Sequence, residues 1–308
     1  MNERQQRDRT HLPLSVRMAL RSCFWALVTC LSLATSSAFA QAPTLAIPDS
    51  PESPVAVRPL DFSPPSYFLL LREDTRQIVF SPLRWEERTW KKAGLGVGAV
   101  AILMLVDGRI KDATRENASP ETSRLSRAVQ PFGSDYSWAV LGTFYGAGEL
   151  MNNERASAVA KDGLTSSLIA AGLITPAIKA ITGRSRPSQS EDENLFFIGG
   201  QSFPSGHTTQ AFAVASVIAA HYDSAWVDAI AYGMAGLVGY ARMEQDAHYA
   251  SDVIAGAIIG IAVGRSVVRL NNERRGVRVQ PTISSNGGAG LAVRLDLSTL
   301  RRRQVHEH

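Results

Sequence analysis

The sequence predicts an all-α protein, a compact multi-helix bundle with a short β-hairpin appended at its C-terminal end. The first observation is a series of runs rich in Ala and Gly, in which apolar residues occupy nearly every helical face. Such helices lie in a membrane or in the middle of a large bundle. The second is the alternation of apolar and polar residues after Leu270, interrupted by the turn signal Asn286-Gly287, which is typical of a hairpin. The most apolar runs are Leu164–Ile181, Thr208–Ala220, Ala225–Val238 and Val253–Val268.

The first forty residues are typical of an export signal. Arg17 and Arg21 precede an apolar stretch, Cys23–Ala34, and Ala38-Phe39-Ala40 has the small-x-small pattern that precedes cleavage. We therefore expect cleavage before Gln41. An uncleaved membrane anchor is the alternative, although the apolar stretch is short for a full span.

Cysteine content and charge narrow the function classes. Cys23 and Cys30 both lie in the predicted signal, so the mature chain would have neither disulfides nor cysteine metal ligands. The net charge is +4, and the first forty residues contain five arginines against Glu3 and Asp8, so cleavage removes +3 and leaves +1. A charge this close to zero gives little support to nucleic-acid binding.

Changes in composition predict the domain boundaries. After the signal at 1–40, seven prolines between Gln41 and Pro65 predict an extended linker over residues 41–66 that cannot form a helix. Residues 67–271 then form the helical domain, and residues 272–308 form the hairpin and a basic tail. The apolar runs mostly reach about fourteen to eighteen residues, and a membrane span needs about twenty. With a mean hydropathy of −0.04, this favours an exported bundle seated on or partly in a membrane.

Local signals predict where the helices begin. Ser119-Pro120-Glu121 predicts a helix start, because Pro fits the first turn. Residues 107–118 are strongly charged, and we expect them on the surface. Further helices are expected at about 93–106, 134–150, 156–181 and 247–270, and starting near Ser205 and Ser224.

The most informative stretch is Pro204-Ser205-Gly206-His207, which ends a polar loop and opens an apolar run. Ser205 is a favourable N-cap residue, and Gly206 lets an anion approach the backbone closely. The unpaired N–H groups and the dipole of a helix start favour a phosphate here. His207, in the first turn, is placed to deliver a proton to it.

Two basic clusters accompany this stretch. Lys179 to Pro187 ends one apolar run, and Arg242, His248 and Asp252 lie near the start of another. His248 and Asp252 are four residues apart, so on a helix they share a face, where the carboxylate can hold one imidazole nitrogen and present the other. Each cluster alone is also typical of a solvated helix end, but three in this order indicate a site.

Together the three clusters resemble the type 2 phosphatidic acid phosphatase family, which shares a superfamily with class A acid phosphatases and vanadium haloperoxidases. The first two motifs match fully, at Lys179 to Pro187 and at Pro204 to His207. The third matches except that Ala241 stands where the family usually has Ser. The resemblance covers roughly residues 164–265, and it implies a helical bundle of the acid phosphatase/vanadium haloperoxidase type.

The resemblance also implies a mechanism. His248 is the nucleophile that forms a phosphohistidine, Asp252 fixes its orientation, and His207 protonates the leaving oxygen and then acts as base for water. Phosphoryl transfer depends mainly on charge stabilisation. No metal or other cofactor is expected, since the chain has no His-Glu-x-x-His and no clustered Asp pair. The expected phosphate-binding groups are Lys179, Arg186, Arg242 and the backbone N–H groups of Ser205 and Gly206.

The predicted function is hydrolysis of a lipid-linked phosphate or pyrophosphate, by an exported, periplasmic and membrane-associated enzyme whose site lies outside the cytoplasm. Leu195–Ile198 is an apolar segment that can hold a lipid chain or pack on the bundle, and Arg184 can bind phosphate or face solvent. His221 is interpreted as a helix-end residue. The alternatives are a soluble broad-specificity acid phosphatase, a vanadium haloperoxidase and a non-catalytic membrane-associated binding protein.

Overall fold

The computed structural model describes residues 64–190, 192, 195–275, 277–283 and 289–295. The predicted signal peptide, most of the predicted linker and the basic tail lie outside these residues. The chain divides into two units, Met1–Arg72 and Glu73–His308. A helix begins at Pro64, inside the segment predicted to be non-helical. Proline lacks an N–H but fits the first turn of a helix, where no N–H is needed.

The described residues are almost entirely helical, so the predicted all-α class is confirmed. Short 3-10 turns lie at Ser81–Arg84 and Gln130–Gly133, and a π turn at Ala170–Ile174 joins two helices. The helices are α1 (Pro64–Val79), α2 (Glu87–Met104), α3 (Asp107–Glu116), α4 (Pro120–Val129), α5 (Asp135–Leu150), α6 (Glu154–Ile169), α7 (Thr175–Thr182), α8 (Gly206–Tyr222), α9 (Ala225–Glu244) and α10 (Ala250–Arg275).

Two strands follow α10. Strand β1 (Val277–Ile283) and strand β2 (Ala289–Leu295) pair antiparallel, with Val277 opposite Leu295. They lie where the hairpin was predicted. The residues that connect them are outside the described part of the chain, so the Asn286-Gly287 turn stays a prediction.

The start of α4 shows why local signals were reliable. The Ser119 hydroxyl accepts a hydrogen bond from the Thr122 N–H, and the Thr122 hydroxyl accepts one from the Ser119 N–H. This reciprocal capping box satisfies two backbone donors that the helix itself cannot pair. The start predicted at Ser119-Pro120 is therefore confirmed.

Helix α8 is the centre of the bundle, packed against α6, α9 and α10. The contact with α10 is close because Gly256, Gly260 and Gly264 lie one turn apart on one face of α10. A Cβ added at Gly260 would lie only 2.6 Å from the Thr209 carbonyl oxygen of α8. Small residues at these positions let the two helix backbones approach, which brings the N-terminal end of α8 beside the N-terminal end of α10.

Among the described residues, two helical segments are long and apolar enough to cross a membrane. They are Glu154–Thr182, with 29 residues, and Ala250–Arg274, with 25, and they contain 18-residue stretches of mean hydropathy 1.5 and 1.8. The expectation that the helices fall short of a span is therefore wrong. Glu154–Thr182 exceeds the apolar run counted from Leu164 because helix α6 already begins at Glu154, ten residues earlier.

Candidate active site

His248 lies in the bend between α9 and α10, where it is buried. Its Nδ1 is 2.7 Å from the carbonyl oxygen of Ser202 and 3.7 Å from Oδ2 of Asp252. A carbonyl oxygen only accepts, so Nδ1 carries the proton and Nε2 keeps its lone pair. Asp252 is thus within ion-pair distance of the same nitrogen, as the four-residue spacing predicts, while the Ser202 carbonyl makes the shorter contact. Helix α10 begins at Ala250, so the two side chains meet across the start of this helix.

Asp252 also organises the loop that holds the imidazole. Its Oδ2 accepts a hydrogen bond from the Ser202 hydroxyl at 2.5 Å, and its Oδ1 accepts one from Arg184 Nη1 at 2.7 Å. Its backbone carbonyl accepts a third bond, from the Ser205 N–H at 3.0 Å. The carboxylate thus also positions His248 through Ser202, the residue whose carbonyl accepts the hydrogen bond from the imidazole Nδ1–H.

Arg184 is fully buried, and neither of the two roles considered from the sequence fits it. Its Nη1 also donates to the Ser251 hydroxyl at 2.7 Å, and its Nη2 donates to Asp107 Oδ2 at 2.8 Å. The guanidinium also stacks over the ring of Tyr249, 4.2 Å from the ring centroid. A buried arginine with these partners cannot reach a phosphate, so we interpret it as a structural support for Asp252.

Asp107 is a site-supporting residue that the sequence analysis missed. It is 1% exposed, and Lys111 is also buried, so the expected surface position of this segment is wrong at both residues. Asp107 Oδ1 accepts a hydrogen bond from the Ser251 N–H at 3.0 Å. It therefore caps the first turn of α10 from another helix, where a negative charge is favourable. The only feature of the sequence that could have indicated this role is the position of Asp107, a single carboxylate directly after a long apolar run.

Arg242 provides the clearest indication of an anion site. Its Nη1 donates to Gln245 Oε1 at 2.8 Å, but its buried Nε has no partner among the described residues. Burial and the nearby charge of Arg186 lower the pKa of Arg242. Leaving a buried charged donor without a partner costs free energy, and an anion bound between these arginines would supply the missing acceptor.

His207 lies in the first turn of α8, at the meeting point of the predicted charges. Burial lowers the pKa of His207 to about 4, and the charges of three cationic side chains, together with that of His248 when it is protonated, lower it as well. Burial is also the main cause that lowers the pKa of His248. Both imidazoles are therefore neutral at neutral pH while the site is empty. The four residues that act on His207 are Arg242, His248, Arg186 and Lys179.

The remaining phosphate-binding candidates have different positions. Lys179 Nζ donates to the Gln201 carbonyl and lies 3.5 Å from the Ser202 carbonyl, at the edge of the same loop. The Ser205 N–H, expected to bind phosphate, already donates to a backbone carbonyl of α10, so that expectation is wrong. Gly206 is the first residue of α8, and its N–H has no carbonyl one turn earlier to pair with.

His221 lies at the opposite end of α8, about 21 Å from His207 at the helical rise per residue. Its Nε2 is 2.8 Å from Asp162 Oδ2 of α6. It belongs to the last turn of the helix, as interpreted from the sequence. In the part of the chain that the structure describes, no group of three or more His, Cys, Asp or Glu residues is placed to hold a metal ion.

Comparison with known proteins identifies a family over the part of the chain that contains the three motifs. The PAP2 superfamily matches residues 163–275. A lipid A 1-phosphatase of Rhizobium etli is 31% identical over 202 residues, which cover 58% of this chain and 82% of that protein. The chain belongs to the PAP2 superfamily. A second PAP2 relative, a lipid A 1-phosphatase of Porphyromonas gingivalis, is 43% identical over 65 residues, 20% of this chain and 15% of that protein.

Two solved structures are similar to this PAP2 protein. The crystal structure of Aquifex aeolicus LpxE is 24% identical and covers 52% of this chain and 93% of that one, with a TM-score of 0.42. That of a transmembrane PAP2-type phosphatidylglycerolphosphate phosphatase from Bacillus subtilis is 19% identical and covers 69% and 97%, with a TM-score of 0.44. The family assignment itself rests on the sequence comparison. As a PAP2 member, the protein is a membrane-associated phosphoric monoester hydrolase.

Proposed function

We propose that this protein removes a phosphate from a lipid, with the phosphates of lipid A as the leading substrates, and that it does so through a phosphohistidine intermediate. The observation that carries the proposal is that Lys179 and His248 both contact the Ser202 carbonyl, while the charges of Lys179, Arg186 and Arg242 lower the pKa of His207. These contacts and charges occur in a chain with two helices long enough to span a membrane. The lipid A 1-phosphatase names of its relatives support the choice of substrate.

The first half of the reaction transfers the phosphoryl group to the protein. Nε2 of His248 attacks phosphorus, since Nδ1 holds its proton against the Ser202 carbonyl. The bond from phosphorus to the ester oxygen breaks, and that oxygen takes from His207 the proton that His207 has received from the bound phosphate monoanion. The cationic side chains stabilise the charge on the three non-bridging oxygens.

The second half returns the enzyme to its starting state. His207, now neutral, accepts a proton from a water molecule as the water oxygen attacks phosphorus. The bond between phosphorus and His248 breaks, and inorganic phosphate leaves with the proton that His207 took from water. His207 thus acts as acid and then as base, which its position in the first turn of α8 permits without movement of the helix.

The experiment is a substrate panel with the purified full-length chain in detergent and excess EDTA. Lipid A, phosphatidic acid, undecaprenyl pyrophosphate and 4-nitrophenyl phosphate are compared by release of inorganic phosphate. We expect kcat/KM to be highest for a lipid phosphate and vanadate to inhibit competitively. Turnover of 4-nitrophenyl phosphate with none for any lipid would instead identify the soluble acid phosphatase alternative. Dependence on a removable metal would contradict the metal-independent mechanism.

We further propose that the active site faces the periplasm, as the predicted export signal indicates. The exposed residue Gln189, in the loop next to Arg186, offers a test of this orientation. In Gln189→Cys, with Cys23 and Cys30 replaced by Ser, a membrane-impermeant maleimide should label the protein in cells with a permeabilised outer membrane. Labelling only after the inner membrane is lysed would place the site on the cytoplasmic side.

A further inference from the structure

Three large apolar side chains beside the candidate site are exposed. Phe197 is 81% exposed, Ile198 55% and Ile181 71%. Phe197 and Ile198 lie in the loop between α7 and α8, and Ile181 lies in the last turn of α7. We call these three residues the apolar tip. The sequence left two roles open for Leu195–Ile198, to hold a lipid chain or to pack on the bundle. Phe197 and Ile198 are too exposed to pack on the bundle.

The backbone holds the tip in a defined position. The Phe197 N–H donates to the Thr182 carbonyl at 2.9 Å, and the N–H groups of Ile198 and Gly200 both donate to the Gly183 carbonyl. Phe197 has a φ of +61°, in the left-handed region that bulky residues rarely adopt. Such a conformation persists only where the surrounding structure enforces it. The tip is therefore presented outward by a tightly bonded loop.

The position of the tip indicates what it meets. Thr182 ends the first candidate membrane span, and Ile181 precedes it directly. Loop residues bonded to Thr182 and to Gly183 therefore lie where this helix leaves the hydrocarbon and reaches the interface. Exposed aromatic and aliphatic side chains at that level are favourable in lipid and unfavourable in water.

The same loop connects the tip to the phosphate site. Gln201, three residues after Ile198, offers the carbonyl that Lys179 Nζ bonds, and the next carbonyl, of Ser202, holds His248 Nδ1. A phosphate at Arg242 and Lys179 is thus joined to the tip by only a few residues of bonded backbone. A lipid that carries its phosphate into the site has its acyl chains at this level.

We infer that the apolar tip inserts into the bilayer surface and contacts the acyl chains of the substrate, so that it selects lipid-anchored phosphates over water-soluble phosphate esters. This inference rests on the proposed phosphatase function. It adds that the preference for lipid resides in Phe197, Ile198 and Ile181, outside the catalytic residues. The occupant is lipid, because the membrane-spanning helix ends at the tip.

The test compares two substrates on one double variant, Phe197→Asn with Ile198→Ser. Asn tolerates the left-handed region better than most residues, which limits damage to the loop. The reconstituted full chain is assayed with the best lipid phosphate of the panel in vesicles and with 4-nitrophenyl phosphate. The ratio of kcat/KM for the lipid to that for the soluble ester is expected to fall at least tenfold.

Leu150→Ser is the matched control, because Leu150 is also an exposed apolar residue. The turn just before helix α5 lies beside the first turn of α8, where Gly133 approaches His207. The later part of α5 lies beside the far end of α8, where Phe144 contacts Tyr222. Leu150 is therefore remote from the site. An unchanged ratio in the tip variant, or an equal fall in both variants, would overturn the inference. Absence of lipid turnover in the wild-type chain would instead defeat the proposed function.

A depth measurement decides the case in which the double variant loses activity on both substrates. Phe197→Cys, with Cys23 and Cys30 replaced by Ser, is labelled with an environment-sensitive fluorophore in vesicles that contain acyl-chain-brominated phosphatidylcholine. Strong quenching at position 197, and weak quenching of the same label in Gln189→Cys, is the expected result. Equal weak quenching at both positions would show that the tip does not enter lipid.

Discussion

At the scale of single residues, the contact that decides the chemistry is between His248 and a backbone carbonyl. Because the Ser202 carbonyl fixes the proton on Nδ1, it leaves Nε2 with the lone pair that the proposed mechanism needs. Asp252 lies 3.7 Å from the same Nδ1 and also binds the Ser202 hydroxyl. We therefore expect Asp252 to position His248.

Removal of the nucleophile should abolish turnover. His248→Ala is expected to lower kcat by about 10⁴-fold or more, as loss of a nucleophile does in other covalent hydrolases. The matched control is His221→Asn, which also removes a histidine bound to an aspartate, but at the other end of α8. The folded control should keep its kcat. Phosphate release by His248→Ala at more than a few per cent of the wild-type rate would contradict the assigned role.

The pH dependence of kcat/KM follows from which group carries the catalytic proton into the site. With a pKa of about 4, His207 is neutral in the empty enzyme at neutral pH, so the catalytic proton must arrive on the substrate. A phosphate monoester loses its second proton near a pKa of about 6, and kcat/KM should therefore fall about tenfold per pH unit above that value. The lowered pKa of His248 keeps the nucleophile neutral on the acid side.

The bound state should behave differently. A phosphoryl anion offsets the cationic charges around His207 and raises its pKa, so the alkaline limb of kcat should lie at higher pH than that of kcat/KM. Full pH–rate profiles for both constants provide the measurement. Coincident alkaline limbs would show that His207 does not hold the proton in the complex.

At the scale of elements, the site depends on how closely α8 and α10 pack. The N-terminal end of α8 carries His207 and that of α10 carries Asp252, and the glycine face of α10 allows the two backbones to meet. Arg184 and Asp107 connect the loop before α8 and the start of α3 to the same end of α10. The catalytic groups are therefore held by helix ends and by a buried ion network.

A methyl group between these helices should disturb the site. Gly260→Ala places a Cβ 2.6 Å from the Thr209 carbonyl oxygen and should lower the free energy of unfolding by about 1–3 kcal/mol, as overpacking does. It should also lower kcat, because Thr209 is two residues from His207. Thermal unfolding in detergent and phosphate release are the measurements.

Gly236→Ala in α9 is the control for this substitution, since its added Cβ has no neighbour within 4 Å. Alanine is preferred to glycine within a helix by about 1 kcal/mol, so this variant should be as stable as the wild-type protein or more so. Equal losses of stability in the two variants would indicate that the glycine face of α10 is not a packing surface.

At the scale of the whole molecule, the long helices predict how the protein behaves in cells. Helical segments of 29 and 25 residues, each with an apolar stretch long enough to span, should hold it in the bilayer. After an alkaline carbonate wash, the full-length protein is expected in the membrane pellet, as followed by immunoblotting. A soluble periplasmic protein of the same cells serves as the control. Recovery of both proteins in the supernatant would show that the helices form a bundle outside the membrane.

Short-range sequence signals predicted a large part of this structure. Helical class, the capping box at Ser119 and the three basic motifs all depend on residue types at fixed local spacing, which a chain expresses wherever it folds. Membrane spans were underestimated because the apolar runs were counted only up to the nearest charged or polar residue. The helices continue beyond those residues, as α6 does from Leu164 back to Glu154.

The sequence by itself determined which chemical groups the site contains, namely two imidazoles and several cationic side chains near the ends of helices. Tertiary structure alone decided how they are oriented. The Ser202 carbonyl lies 46 residues from His248, and Asp107 lies 77 residues from Arg184. Every residue has a backbone carbonyl, so no residue type marks the one that holds an imidazole. Burial of Arg184 likewise depends on three segments that meet only when the helices pack.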